Sequence, residues 1–152
     1  MRKINYFLLL IGFCIVFTSC GDDGDLSSSD LVGTWLVVHE KYSERNGNKT
    51  YEYEHSYPDN IDWESSDVGG YARFDKNGNY SFRYGETGDF ESVGRWELKG
   101  DKIVATFLVD DDEYVTVESK ILKLTSTEFI METHVIENNY EYHSIQTLQK
   151  VK

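Results

Sequence analysis

From residue 33 to residue 150, apolar and polar side chains alternate with a two-residue period in short runs, and turn chemistry separates the runs. Such a pattern belongs to half-buried strands joined by hairpins. The turns are Asp75-Lys76-Asn77-Gly78, Lys99-Gly100-Asp101, Asp110-Asp111-Asp112, Thr125-Ser126-Thr127 and Glu137-Asn138-Asn139. They predict strands over 33–42, 71–75, 79–84, 89–98, 102–109, 114–124, 129–136 and 140–150, with a type I′ turn at Asn77-Gly78. The intervening stretch 43–70 is polar and is expected to be a long loop holding a short strand around Thr50–His55. Eight antiparallel strands in sequential order are enough to close an up-and-down β-barrel, with an open sandwich as the competing architecture.

Alternation also assigns faces. Tyr80, Phe82 and Tyr84 share one side, as do Phe90, Gly94, Trp96 and Leu98, and Phe129, Met131, Thr133 and Val135; these are expected to point inward. In 114–124 the apolar parity changes from Val115 and Val117 to Leu122 and Leu124, which places a β-bulge near Ser119-Lys120.

Composition supports an all-β domain and narrows the partners. Val, Ile, Tyr, Phe, Trp and Thr are abundant while proline occurs once. The chain of 152 residues, with 15 Lys+Arg against 27 Asp+Glu and a net charge of −12, is sized for one domain and is poorly suited to nucleic acid.

The first residues have the order of a secretory signal: Arg2 and Lys3, an apolar run Tyr6–Phe17, then Thr18, Ser19 and Cys20. The apolar run is too short to span a bilayer. Phe17-Thr18-Ser19-Cys20, followed by Gly21-Asp22-Asp23-Gly24-Asp25, resembles the lipobox of bacterial lipoproteins. That resemblance implies a lipoprotein signal peptide over 1–19 and an acylated Cys20 leading a flexible tether over 20–30. A barrel domain over 31–152 follows. The acidic run after Cys20 is also similar to signals that carry some lipoproteins to the cell surface, so the expected location is the outer membrane, lipid-anchored and surface-exposed. An ordinary secreted protein cleaved near Ser19 is the alternative. Cys14 lies in the discarded segment, so the mature chain forms no internal disulfide.

Gly33-Thr34-Trp35, opening the first strand, looks like the Gly-x-Trp motif of lipocalins, and Gly94-Arg95-Trp96 repeats it. With the segments Tyr71–Tyr80 and Gly94–Ile103, the chain resembles the lipocalin-like domain of bacterial surface lipoproteins over about residues 31–150. The resemblance implies that Trp35 plugs the closed end of the barrel. Walking the strands alternately up and down then puts Trp96 there too. The open end receives 43–70 and the turns near 85–89, 110–113 and 137–139, all rich in acids, whereas Lys76, Lys99, Lys102, Lys120, Lys123, Lys150 and Lys152 gather at the base. This sorting suggests a base turned toward an anionic membrane and an acidic mouth turned away; chance placement of solvated charges explains it as well.

The inward residues expected near the mouth are His39, Tyr84, Phe90, Phe107, Val117, Thr133 and Tyr142, with Phe82 and Met131 deeper. Aromatic walls with a few polar tips suit a small-molecule pocket, although a barrel so rich in rings can also be filled solid. An acidic rim favours a neutral or cationic ligand. The stretch 43–70 is expected to act as a lid, with Tyr57 and Trp63 as anchors. No catalytic constellation, cofactor motif or metal-ligand spacing is present: His39, His55, His134 and His143 are scattered, and although Asp75, Asn77, Asn79 and Glu86 fit a calcium-loop count, Tyr80 stands where that loop needs glycine and strand-patterned residues flank it. The expectation is a non-enzymatic, lipid-anchored envelope module that binds a small ligand. The alternative is an accessory subunit of an envelope complex with a filled barrel, contacting its partner through the 43–70 stretch, Tyr51 and Tyr53.

Overall fold

The alternating runs form nine antiparallel strands among the residues that the computed structural model describes, 26–59, 67–110 and 113–152, with the side chains of 108–110 and 113 left undescribed. They are β1 (Gly33–Asn46), β2 (Lys49–Ser56), β3 (Tyr71–Phe74), β4 (Asn79–Arg83), β5 (Glu91–Lys99), β6 (Lys102–Asp110), β7 (Glu113–Leu124), β8 (Glu128–Glu137) and β9 (Tyr140–Lys150). β1 pairs with β3, each later strand pairs with the next, and β9 returns to β1, which closes an eight-stranded barrel and removes the open sandwich from consideration. β2 is an extra strand on the upper half of β1, where His39 to Asn46 pair with Ser56 to Lys49.

β2 covers the short strand expected around Thr50–His55, but β1 continues to Asn46 and joins it in a hairpin, which corrects the expectation of a long loop from residue 43. Asn46-Gly47-Asn48-Lys49 makes a two-residue connection with Gly47 at φ 59, the positive first position of a type II′ turn. The turn at 75–79 is a second correction. Asn77 keeps a negative φ while Gly78 has φ 81, and the Gly78 amide donates to the Asp75 carbonyl at 3.0 Å, so this is a type I turn closed by a left-handed glycine instead of type I′.

Three bulges decide which side chains enter the barrel. Val37 pairs with Leu148 and His39 with Thr147, so Val38 is extra and the inward series of β1 runs Trp35, Val37, Glu40, Tyr42. Val93 is extra in β5, since Tyr80 pairs with Gly94 but Ser81 with Ser92. Leu122 is extra in β7, slightly beyond the expected Ser119-Lys120; it is exposed, and Ile121 is the buried residue.

The core sits at one end. Trp35 and Phe129 meet edge to face at 5.6 Å, Phe129 and Phe74 at 6.3 Å, and Phe74 and Trp96 at 5.4 Å, joining both tryptophans through two phenylalanines. A helical turn, α1 (Ser28–Leu31), closes this end, with Ser27 and Asp30 forming a capping box. Residues 26–30 are therefore ordered where a tether was expected. Leu31 is fully buried and its carbonyl accepts from Trp35 Nε1 at 2.8 Å; Trp96 Nε1 donates to the Asp75 carbonyl at 3.2 Å. Gly94 is required by close packing, because a Cβ there would stand 2.1 Å from the Thr106 carbonyl oxygen, while the rings of its neighbours Tyr80 and Phe107 meet across it at 5.8 Å.

Candidate ligand site at the open end

Above the packed base, the inner side of β4, β5 and β6 and the segment joining β4 to β5 border a cavity of about 500 Å³, lined by Asp67, Tyr80, Phe82, Arg83, Tyr84, Thr87, Gly88, Asp89, Glu91, Val93 and Phe107. The volume falls within the roughly 300–1,000 Å³ usual for small-molecule sites. Tyr80, Phe82 and Tyr84 come from alternate positions of one strand and its continuation, so their rings form a wall; Phe82 and Tyr84 lie edge to face at 4.9 Å.

Asp67 reaches this cavity because β1 changes partners at the Val38 bulge. Below the bulge β1 pairs with β3 and above it with β2, and the Asp67-Val68-Gly69-Gly70 turn docks in the gap. The Val37 amide donates to the Gly70 carbonyl at 2.9 Å and the Gly69 amide to the Val37 carbonyl at 2.8 Å. Gly70 lies so close to Phe82 that a Cβ would stand 2.2 Å from the ring Cζ, so only glycine lets Phe82 pack against the turn.

Part of Asp67 is accessible, but its carboxyl lies deep among the rings. Gln146 Nε2 donates to Asp67 Oδ2 at 3.4 Å and to Glu40 Oε1 at 2.7 Å, and the Tyr84 hydroxyl donates to Asp67. Burial pushes the Asp67 carboxyl up to about 6, and the nearby Glu40 adds to the rise; the bonds from Gln146 and Tyr84 oppose it. Burial also raises Tyr142 to about 12 and holds Tyr80 well above the usual phenol range, with Asp67 contributing to both.

Phe82, Tyr84 and Phe107 line the cavity as expected from alternation, with Tyr84 the most exposed of the three-residue wall. Val117, Met131, Thr133 and Tyr142 face the interior but do not border this cavity: Ser119 and Thr133 share a 2.7 Å hydroxyl contact, and Tyr142 meets Tyr42 at 6.0 Å. Tyr42 in turn stacks on Tyr53 at 4.9 Å and on His55 at 6.3 Å, so the extra strand carries a ring ladder above the rim. Two residues leave the expected set. The Val38 bulge turns His39 outward, where Nδ1 lies 2.9 Å from the His55 carbonyl and Nε2 3.6 Å from Glu54. The Val93 bulge turns Phe90 outward, between the guanidinium groups of Arg73 at 4.4 Å and Arg83 at 4.8 Å.

Alternation overlooked Glu40, Asp67, Glu91 and Gln146. A signal for Glu40 existed: continuing the parity of Trp35 without a bulge would bury Lys41 and expose Tyr42, an unfavourable exchange. Asp67 left no period to read, since its position depends on docking of a turn. Tyr57 joins the segment after β2 to the rim by donating to Glu86 at 3.2 Å, while Trp63 and Cys20 lie outside the described residues. On the outer wall, His134 and His143 face each other across β8 and β9, each engaged with a glutamate, Glu141 at 3.0 Å and Glu132 at 2.8 Å. Among the described residues no three ligating side chains stand together in a metal-binding group.

A family model for the lipocalin-like domain matches residues 31–131. The chain belongs to this lipocalin-like family. Among solved structures, it is similar to a lipocalin-like protein from Bacteroides uniformis, at 14% identity and a TM-score of 0.41, over 80% of this chain and 99% of that one. A second is an uncharacterized protein from Bacteroides eggerthii, at 15% identity and a TM-score of 0.40, with the same coverage of 80% and 99%. No curated protein matches the chain. In this lipocalin-like barrel both Gly-x-Trp tryptophans lie at the closed end, as the motif implies, and the cavity opens at the other.

Proposed function

We propose that this lipocalin-like domain is a non-enzymatic, lipid-anchored component of the bacterial cell envelope that captures a small neutral or cationic molecule at the open end of its barrel. The cavity carries the proposal. It combines ring surface from Tyr80, Phe82 and Phe107 with polar groups from Asp67, Tyr84, Asp89 and Glu91, so rings can supply affinity and the polar groups orientation. Isothermal titration of the full-length chain in non-ionic detergent, with phenethyl alcohol and phenethylamine as probes, should show one competitive site of millimolar affinity that Val93→Phe closes. Absence of binding by both probes would overturn the proposal.

Attachment through Cys20 rests on the signal-like order of residues 1–20. Base charge adds little to it, because Lys99 pairs with Glu97, Lys102 with Glu118 and Lys123 with Glu128, leaving a mixed surface. Cys20→Ser should move the chain from the membrane fraction to the soluble fraction, and mass spectrometry of the N-terminal peptide should find acyl groups on Cys20 in the native chain. An unmodified Cys20 would remove the anchor.

A second reading, an accessory subunit that contacts a protein partner, draws on the exposed rings of Tyr51 and Tyr53 on β2, at 42% and 41% accessibility. Phenethyl probes excluded from the cavity, together with a partner lost on Tyr51→Ser and Tyr53→Ser, would favour it.

A further inference from the structure

The cavity is sharply asymmetric in its chemistry. Its floor and one wall are aromatic, and its charged lining groups are three carboxylates, Asp67, Asp89 and Glu91, against one cation, Arg83, whose guanidinium is set on the outer face 4.5 Å from the Tyr71 ring and 4.8 Å from the Phe90 ring and whose Nε has no hydrogen-bond partner among the described residues. Lys150 occupies an inward register position in β9, but it belongs to the base, with Nζ 2.7 Å from the Val32 carbonyl and 4.4 Å from the Trp35 ring centre.

Asp67 is the deep polar group. The turn that carries it is pinned to Val37 by two backbone hydrogen bonds, which hold the Asp67–Gly70 backbone against the barrel wall. A carboxylate offers about four acceptor positions, and the donors described at Asp67 are the Tyr84 hydroxyl and the long bond from Gln146. Among the described residues these two donors leave acceptor capacity on the carboxylate. Holding a carboxylate among rings is unfavourable unless a positive partner reaches it.

Taking the cavity as a ligand site, on which this step rests, we infer that its ligand is an organic cation: an ammonium or guanidinium head set against Asp67, with an apolar or aromatic body along Tyr80, Phe82 and Phe107. The tyrosines serve both parts, since the faces of their rings attract a cation and their edges pack the body. A carboxylate or phosphate ligand meets Asp67, Asp89 and Glu91 and is repelled. A neutral ligand fits the rings but leaves the carboxylate without its counter-charge.

Phenethylamine, charged at neutral pH, and phenethyl alcohol, its neutral counterpart of equal size, separate these cases. Titrated into the full-length chain in non-ionic detergent, the amine should bind at least roughly tenfold tighter than the alcohol, the margin of one charge-assisted hydrogen bond. Asp67→Asn should bring the two affinities together while the alcohol still binds. Lowering the pH to about 5, which protonates most of a carboxyl titrating near 6, should weaken the amine by roughly tenfold and leave the alcohol unchanged. The ionisable groups around Asp67 are Glu40 on β1, Tyr80 and Tyr84 on β4 and its continuation, and Tyr142 on β9, with Asp89 and Glu91 farther round the cavity. Glu91→Gln should retain the pH step, which assigns it to Asp67. Equal binding of both probes to the native chain would overturn the cation assignment and leave the cavity as a ligand site. Failure of both probes would overturn the two together.

Discussion

Replacing Trp35 with alanine should destabilise the domain by about 4 kcal/mol, near the upper end of what a single core truncation costs. Trp35 is fully buried and does three things at once. Its ring meets Phe129 at 5.6 Å and so begins the aromatic chain that ends at Trp96. Nε1 donates to the Leu31 carbonyl at 2.8 Å, which ties α1 over the barrel base. The ring face also carries the Lys150 ammonium at 4.4 Å, which fastens the end of β9. Alanine removes all three and leaves a cavity under α1 that the closed strands cannot collapse to fill. Against a typical total of 5–15 kcal/mol, a loss of about 4 kcal/mol should lower the melting temperature by roughly 15 °C. Trp35→Phe, which keeps most of the apolar area and loses the bond to Leu31, should cost about 1–2 kcal/mol. Thermal unfolding followed by near-ultraviolet circular dichroism measures both. A drop of under about 1 kcal/mol for the alanine variant would show that the base is held by other contacts.

Asp67→Asn should have the opposite sign and stabilise the unliganded domain by about 3 kcal/mol above pH 6. The carboxyl titrates near 3.8 when exposed and near 6 in the fold. Between those values the folded chain keeps a proton that the unfolded chain releases, so native stability falls as pH rises through this window and stays low above it. The amide carries no charge to desolvate, and its oxygen still accepts from Tyr84 or Gln146. The benefit should therefore vanish below about pH 4, where the native carboxyl is neutral in both states. Urea midpoints of the two chains, measured across this range, should diverge only on the alkaline side. Parallel curves would mean that the Asp67 carboxyl is solvated in the folded protein. A residue that lowers stability and yet is held in place by a pinned turn fits a group retained for binding. Phenethylamine should stabilise the native chain more than the variant and so narrow the difference between them.

The legibility of the fold tracked the reach of each signal. Strand positions depend on alternation and on turn residues within a few positions, and Asp75 to Gly78, Lys99 to Asp101 and Glu137 to Asn139 all mark real reversals. The hairpin at Gly47-Asn48 was equally local, but the polarity of Lys49 to Ser56 concealed it, because β2 lies above the rim and buries only His55 among its residues. Within the site, Phe82, Tyr84 and Phe107 were readable because no bulge separates them from the turn that sets their parity. His39 and Phe90 were misplaced because one inserted residue, Val38 or Val93, inverts every face beyond it. The apolar run Leu36-Val37-Val38 offered no break in pattern at which to place the first bulge.

By itself the sequence determined eight sequential antiparallel strands, because period and turn chemistry are properties of neighbours along the chain. The base plugged by Trp35 and Trp96 followed from the resemblance of the Gly-x-Trp motif to that of lipocalins, and the pairing of β9 with β1 decided the barrel over an open sandwich. Only the tertiary structure decided that β1 changes partners at Val38 and that the Asp67–Gly70 turn fills the resulting gap. That change brings the carboxylates of Glu40 and Asp67 to the same Gln146 Nε2. Those residues are separated by dozens of positions, and their meeting follows from the register of barrel closure, which no local pattern encodes.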